Sequence, residues 1–505
     1  MKFNKIYKIA FAACFFVSIS ACKDKLEEVV PQTSLNQTLV LTDPNAAMTL
    51  YNGVYASFRG FHGTLFTFGE MRSEIWADGL FTESEDPAPK QYYTHNLLAS
   101  NAPAGNWAGF YSLLNRINTV ISLFPKAPIT EAQRKSALAE MHGMRAYVYY
   151  TMLKTWGGVP LTTEPVSTIG SLSDLYKERA TPEGVLAQIK SDIDKSLELF
   201  AGNNTFTAKR VYWNRAATLT LQGDVLIWSG TLMGGGNADF TKAKTALEEV
   251  KALSTLGLNA NYADTFDPTK ETNNKEIIFA ISFEKDQATQ GAYSAFFVNT
   301  TQASTLIFNP PPATPIPVST AYPFVAGASR VGMSAATIAK LNDANDKRAA
   351  TTFRVMHRNA APFAIAAVML TKFIGRVDAG AQLYDNDFPI YRYADVLLLL
   401  AEAKTKLGED PAAEINAIRA RAYTTPVTFT KGTVTENMNA ILDEYLREFI
   451  GEGKRWWALR RAGNSYVFAN IKPSFLTTGQ EIKFLLPITV GMLNSDPKLT
   501  QTPGY

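Results

Sequence analysis

The chain has 505 residues, 46% of them hydrophobic and 19% charged, a balance that suits a folded core and excludes a disordered chain. Its formal charge is +3, from 49 basic and 46 acidic residues, which gives it no electrostatic claim on nucleic acid or an anionic surface. Two cysteines, Cys14 and Cys22, and four scattered histidines leave little material for a disulfide framework or a metal site.

The N-terminus reads as a secretory signal. Lys2, Lys5 and Lys8 precede an apolar run from Ile9 to Ile19, too short to span a bilayer as a mature helix. Ile19-Ser20-Ala21-Cys22 then resembles the lipobox of bacterial lipoproteins, in which the cysteine is diacylated and becomes the first mature residue. An ordinary signal peptide with an incidental cysteine is the alternative. Removal of residues 1–21 takes away Cys14, three lysines and no acid, and brings the formal charge from +3 to zero. A charged tether, Lys23 to Glu28, follows; Lys23-Asp24 resembles the export signal of surface-exposed lipoproteins in Bacteroidetes-type bacteria.

Helical periodicity dominates the remainder. Glu140 to Trp156 places Tyr149, Met152, Leu153 and Trp156 on one face, and Gly157-Gly158 with Pro160 ends it. Thr181-Pro182 starts a second helix, with Ile189, Ile193, Leu197 and Phe200 inward. Tyr212 to Gly230 and Phe240 to Leu253, capped by Asp239, make a pair with a short turn. Tyr391 to Leu407 and Pro411 to Tyr423, after the cap Asp410, make another, and Asn437 to Ile450 follows. Such pairs are the unit of a tetratricopeptide-like solenoid, here with degenerate repeats.

Three long stretches, Gly60 to Asn106, Asn259 to Arg330 and Thr351 to Asp387, read as irregular. The second contains Asn309-Pro-Pro-Pro-Ala-Thr-Pro-Ile-Pro317, a loop or rigid extended segment. Loops this long in a helical protein are usually functional. The expected organisation is thus residues 1–21 as signal peptide, 22–36 as lipidated tether and 37–505 as one mainly all-α domain with loop-rich insertions at about 60–106, 259–330 and 351–387.

Enzyme signatures are sparse. His62, His95, His142 and His357 show no His-Glu-x-x-His spacing, and no Gly-x-Ser-x-Gly elbow occurs. Gly234-Gly235-Gly236 lacks the Lys-Ser/Thr of a phosphate loop and reads as a helix-ending turn. Glu83, Glu85 and Asp86 could supply a glycosidase pair, with solvated loop acids as the preferred alternative. Asp343-Ala-Asn-Asp346 lacks the glycine of an EF-hand loop, so no calcium site is assigned and no cofactor is expected. Glu444, Arg447, Glu448, Glu452 and Arg455 read as an internal ion-pair network locking the C-terminal helix, with Trp456 and Trp457 packed beneath; a binding role is the alternative.

Several stretches together resemble one family. They are Trp107-Ala-Gly-Phe-Tyr-Ser-Leu-Leu-Asn115-Arg-Ile-Asn118; Arg145-Ala-Tyr-Val-Tyr-Tyr running to Trp156-Gly-Gly-Val-Pro-Leu161; Arg392-Tyr-Ala-Asp-Val-Leu-Leu-Leu-Leu-Ala-Glu-Ala403; Tyr445-Leu-Arg-Glu-Phe-Ile-Gly-Glu-Gly-Lys-Arg-Trp-Trp-Ala-Leu-Arg460; and Leu499-Thr-Gln-Thr-Pro-Gly-Tyr505. With the lipobox they resemble the SusD/RagB family of outer-membrane nutrient-binding lipoproteins. Asp395 stands where that family more often has Glu, Thr502 where Asn is common, and Ala458 where an acid often precedes Leu-Arg.

The resemblance implies a tetratricopeptide-like scaffold with an irregular half supplying a shallow ligand site. It also implies a place on the outer leaflet, as a lid over a SusC-type TonB-dependent transporter. The implied task is capture of oligosaccharides for import, or of peptides, without catalysis and without nucleic acid. A pyranose stacks its apolar face on a flat side chain, so aromatics outside the helical motifs are the candidates. Trp76, Tyr92 and Tyr93 are expected to stack on sugar, with Arg72, Glu74 and Asp78 supplying hydrogen bonds. Tyr293, Phe296 and Tyr322 of the middle insertion, which also holds Phe297, are expected to close the site. Ordinary core packing is the alternative for each ring.

Overall fold

The computed structural model describes residues 36–79, 87–103, 105–166, 171–291, 293, 296–324, 327 and 330–505. Cys22, the expected signal and the expected tether before residue 36, and Glu83, Glu85 and Asp86 lie outside the described residues.

Helices carry the scaffold. Glu131–Trp156 starts nine residues before the apolar stripe suggested, because Thr130 and Gln133 form a capping box that satisfies the first amides ahead of a polar opening turn. From Met141 onward it is buried almost all round, as a helix covered on several sides must be. It packs against Pro182–Phe200, whose predicted cap holds: Thr181 Oγ1 accepts from the Gly184 amide at 3.1 Å. Arg215–Leu232 begins later than Tyr212, at the cap Asn214, and pairs with Gly236–Lys251. Asp239 is not the cap of that last helix; it lies in the first turn and pairs with Lys190 at 3.0 Å. Tyr393–Lys406 with Ala412–Ala422 forms the second predicted pair, followed by Val434–Phe449 and Arg455–Ala462.

The three stretches read as irregular carry most of the strands. Strand β1 is Trp76–Asp78, β2 Ile277–Ile281, β3 Leu306–Phe308, β4 Ile316–Pro317 and β5 Val331–Met333. Then come β6 Phe353–Arg358, β7 Ile365–Leu370, β8 Arg376–Asp378, β9 Ala381–Leu383 and β10 Phe388–Arg392. They pair antiparallel as β1–β5, β2–β10, β8–β9 and β4–β3–β6–β7. Most are only two to six residues long, too short for alternation to stand out, and β2 is buried throughout, so it shows no period at all. The first stretch also holds a helix, His62–Glu70. One continuous hydrophobic core runs beneath both the helical and the stranded parts.

Buried charge fastens these parts together. Arg392, at the end of β10, meets Glu276 (2.8 Å), Glu448 (2.7 Å) and Glu452 (2.8 Å), all fully buried. Arg421 also reaches Glu276 and Glu448, and Arg348 reaches Asp346, Glu444 and Glu448. The predicted C-terminal network is therefore real, although Arg455 leaves it to bind Glu74 (Nε–Oε1, 2.9 Å). Trp456 packs on Arg72 and Phe484, and Trp457 on Trp228. Burial alone would raise the Glu448 carboxyl, but Arg421, Arg392 and Arg348 outweigh it and hold the group well below its ordinary range. Asp395, the family's usual Glu position, caps its helix by accepting the Arg392 amide at 2.8 Å and pairs with Lys454. Ala458 is buried, and Thr502 Oγ1 donates to the Leu486 carbonyl at 3.2 Å.

A second clasp joins the two ends of the chain. Glu70, fully buried, accepts the amides of Gly451 (2.8 Å) and Gly453 (2.9 Å). Gly453 is at φ +70°, and a Cβ on Gly69 would sit 1.6 Å from its carbonyl oxygen, so both positions require glycine.

Removing one partner from a buried charge network strands the others. Glu448→Ala is expected to cost about 3–5 kcal/mol, read as a drop in the urea midpoint. A second expectation concerns Glu140, which accepts hydrogen bonds from Tyr51, Tyr55 (2.5 Å) and Ser136 (3.0 Å). Burial raises its carboxyl from an ordinary 4.5 to about 7, against those hydrogen bonds. Between these values the folded state holds a proton that the unfolded state has lost, so this contribution is complete below 4.5 and fades as pH rises through about 7. In Glu140→Gln the fall of the urea midpoint from pH 5 to pH 8 should be shallower than in the parent chain.

Candidate ligand-binding site

The short β1–β5 ladder holds the first long stretch against the strand that directly follows the middle insertion. Trp76, Ala77 and Asp78 pair with Met333, Gly332 and Val331. A Cβ on Gly332 would lie 2.7 Å from the Asp78 carbonyl, so glycine permits the two backbones to meet. The Ser334 amide donates to the Ile75 carbonyl at 2.7 Å, and the hydroxyls of Ser334 and Thr337 both donate to that of Glu74.

The predicted aromatics do converge here, but as core rather than as platforms. Trp76 is 4% exposed, with Phe296 at 4.6 Å and Phe66 at 6.0 Å between ring centroids. Tyr293 is buried against Phe66 and stacked on Phe373 at 4.9 Å, and its hydroxyl donates to the Gly451 carbonyl at 2.5 Å. Tyr92 donates to the Pro103 carbonyl, and Tyr93 to Asp78 Oδ1 at 2.5 Å; both rings are buried. Phe296 and Phe297 are buried as well, the latter stacked on Tyr384. The expectation that Trp76, Tyr92 and Tyr93 stack on sugar and that Tyr293 closes the site is corrected. All four are buried, Trp76 against Phe66 and Phe296, Tyr293 against Phe66 and Phe373, and Tyr92 and Tyr93 with their hydroxyls turned to Pro103 and Asp78. Phe296 and Tyr92 both keep a place on a cleft wall. Tyr322 remains partly exposed, edge-on to Phe308.

The polar trio is also engaged. The Arg72 guanidinium lies over Trp456 at 4.5 Å and donates to the carbonyls of Phe484 (2.9 Å) and Lys483. Burial lowers its pKa to about 10. Glu74 is the partner of Arg455. Only Asp78 stays near solvent, paired with Lys90 at 3.0 Å. Its burial opposes ionisation, yet the hydrogen bonds from Tyr93 and Lys90 prevail and keep its carboxyl below the usual range. The Arg72 amino groups and Glu74 Oε1 are thus committed to contacts within the fold.

What these packed residues support is a cleft of about 480 Å³. Its walls come from His62, Thr64, Phe66 and Thr67 on one side and Pro89, Pro103, Phe296 and Val331 on the other. Sequence reasoning missed His62, Thr64 and Thr67 because the helix His62–Glu70 was read as loop, and only its four-residue apolar spacing, Leu65 to Gly69, hinted otherwise. The His62 Nδ1 lies 3.1 Å from the Arg59 carbonyl and takes the donor role there, which leaves Nε2 with no hydrogen-bond partner among the described residues. Burial keeps the ring below its ordinary pKa, hence neutral at pH 7. Apolar groups dominate the lining, so the cleft can remove the apolar face of a ring-shaped ligand from water and offer it few hydrogen bonds.

No cluster of three or more His, Cys, Asp or Glu among the described residues is disposed to hold a metal, and Asp346 is paired with Arg348.

Comparison with known proteins agrees with this architecture. A family model described as "SusD family" matches residues 356–505, and one described as "Starch-binding associating with outer membrane" matches residues 67–220. The structure of Bacteroides fragilis NanU superposes with a TM-score of 0.84, covers 94% of this chain and 99% of its own, and is 30% identical. The chain belongs to the SusD/RagB family. SusD-like protein P38 of Formosa agariphila is similar over 100% of both chains at 25% identity. The starch-binding protein SusD of Bacteroides thetaiotaomicron is 32% identical over 26% of this chain and 24% of its own. In this SusD/RagB chain β1 lies inside the matched region 67–220 and within the first long stretch, while β5 lies between the two matched regions, directly after the middle insertion.

Proposed function

We propose that this SusD/RagB protein is a cell-surface lipoprotein that captures an oligosaccharide and delivers it to a TonB-dependent transporter of the SusC type. The observation that carries this reading is the cleft of about 480 Å³ at the β1–β5 junction, where both ligand-assigned stretches contribute walls on a rigid helical scaffold. Its family, and the names of relatives such as the starch-binding SusD, support a glycan as ligand. The signal sequence and Cys22 support lipid attachment at the outer membrane. Among the described residues no helix is long and apolar enough to cross a membrane, so the tether would be the link. The protein would bind without turnover and need no cofactor.

One observation favours a second reading, capture of peptides. The cleft offers chiefly Phe66, Met71, Pro89, Phe296 and Val331, a lining that an apolar peptide side chain would fill as well as a sugar face.

Two measurements test the proposal. Thr67→Trp fills the cleft; binding to glycan and peptide panels by titration calorimetry should weaken at least tenfold, with the helical circular dichroism retained. Unchanged affinity removes the cleft from consideration, and the panel that responds separates sugar from peptide. For the anchor, Cys22→Ser should shift the protein from the detergent phase to the aqueous phase on fractionation and abolish the mass increment of acylation.

A further inference from the structure

A second cleft, of about 410 Å³, lies next along the same stretch of chain. Where the first uses Gly60, His62 and Gly63, this one uses Asn52, Tyr55, Phe58 and Arg59 of helix Pro44–Arg59, with Tyr212 and β2 opposite. Its size is within the about 300–1,000 Å³ common for small-ligand sites.

Its polar groups divide into two sets. Lys209 and Glu284 pair with each other, Lys209 lies 3.6 Å from Glu271, and Gln287 Nε2 donates to Glu284 at 2.6 Å. That set is self-satisfied and adds no net cation. The other set is open. The side chains of Arg59, Asn52, Tyr212 and Ser282 make no hydrogen bond or ion pair with any of the described residues. Arg59 ends its helix, where the dipole favours a cation, yet the dipole does not account for its place on a cleft wall beside three other open donors.

The aromatic wall is held rigid from behind. Tyr212 is parallel to Tyr51, at 5.9 Å and 6°, and edge-on to Tyr55 at 4.9 Å. The Tyr55 hydroxyl donates to Glu140 at 2.5 Å and accepts the Trp213 amide at 3.1 Å, so that side chain is fixed and spent. The Tyr212 hydroxyl has no partner among the described residues, and both tyrosines are half-buried, with ring area on the cleft.

We infer that this cleft binds a carboxylate-bearing sugar unit, a uronate, through the planar fork of Arg59, with Tyr212 against the sugar ring and Asn52 and Ser282 on its hydroxyls. A guanidinium pairs with a carboxylate through two parallel hydrogen bonds. Glu284 on the opposite wall suits a monoanion better than a phosphate dianion. The site stands on its own residues and does not depend on what fills the first cleft.

The test titrates the purified full chain with a panel of tri-uronates (galacturonate, glucuronate and mannuronate) and their carboxyl-reduced counterparts. At least one acid should bind more than tenfold tighter than its reduced form, with a preference that shrinks as salt is raised. Arg59→Gln should erase the preference, Arg59→Lys should keep part of it, and Tyr212→Ala should weaken acid and reduced forms alike, each with unchanged circular dichroism. Thr67→Trp, which fills the other cleft, should leave the preference intact. The inference is overturned if no acid outbinds its reduced form, if Arg59→Gln retains the preference, or if Thr67→Trp removes it.

Discussion

Arg392 and Glu448 sit fully buried at the point where the last strand turns into a helix, and the structure is organised around their charge. Each carries more than one partner: Arg392 joins Glu276, Glu448 and Glu452, while Glu448 joins three guanidiniums. Ions so deep in the interior are tolerated only when they are paired and hydrogen-bonded, and here nearly all of the charged atoms are, with Arg421 Nε as an exception among the described residues. Glu276 directly precedes β2, Arg421 comes from a solenoid helix and Glu448 from the helix Val434–Phe449. The irregular half is thereby bolted to the regular half at one dry centre, and cleft walls borrowed from distant parts of the chain can hold a shape.

Sequence legibility followed the range of the interactions involved. Caps and stripes are local, so Thr181-Pro182, Gly157 and the inner face Ile189-Ile193 were readable within a turn or two. The charged cluster from Glu444 to Arg455 was readable because three- and four-residue spacing on a helix is itself local. Only its partners, Arg348, Arg392 and Arg421, were not. The strands were invisible for the opposite reason: a three-residue strand such as Trp76–Asp78 has no period, and its mate lies some 250 residues on.

The aromatics teach the same lesson at the site. A tryptophan outside any helix has as good a composition for stacking on sugar as for filling a core, and nothing nearby decides between them. Phe296 decides it for Trp76, and Phe373 for Tyr293, both through contacts closed only by the tertiary fold. Residues that turned out to border open space, His62, Thr64, Arg59 and Asn52, lie at a helix end or in an unrecognised helix. Their polarity was unremarkable until the neighbouring elements were in place.

The grip of Glu70 on Gly451 and Gly453, and of Arg72 on the carbonyls of Lys483 and Phe484, sets an order on biogenesis. A ribosome makes the first of these partners early and the second almost last. Glu70 and Arg72 find these partners only in residues 451 to 484, which leave the ribosome near the end of synthesis. If the N-terminal signal acts as proposed, contacts closed only by the last part of the chain would keep the precursor open while it crosses a narrow pore.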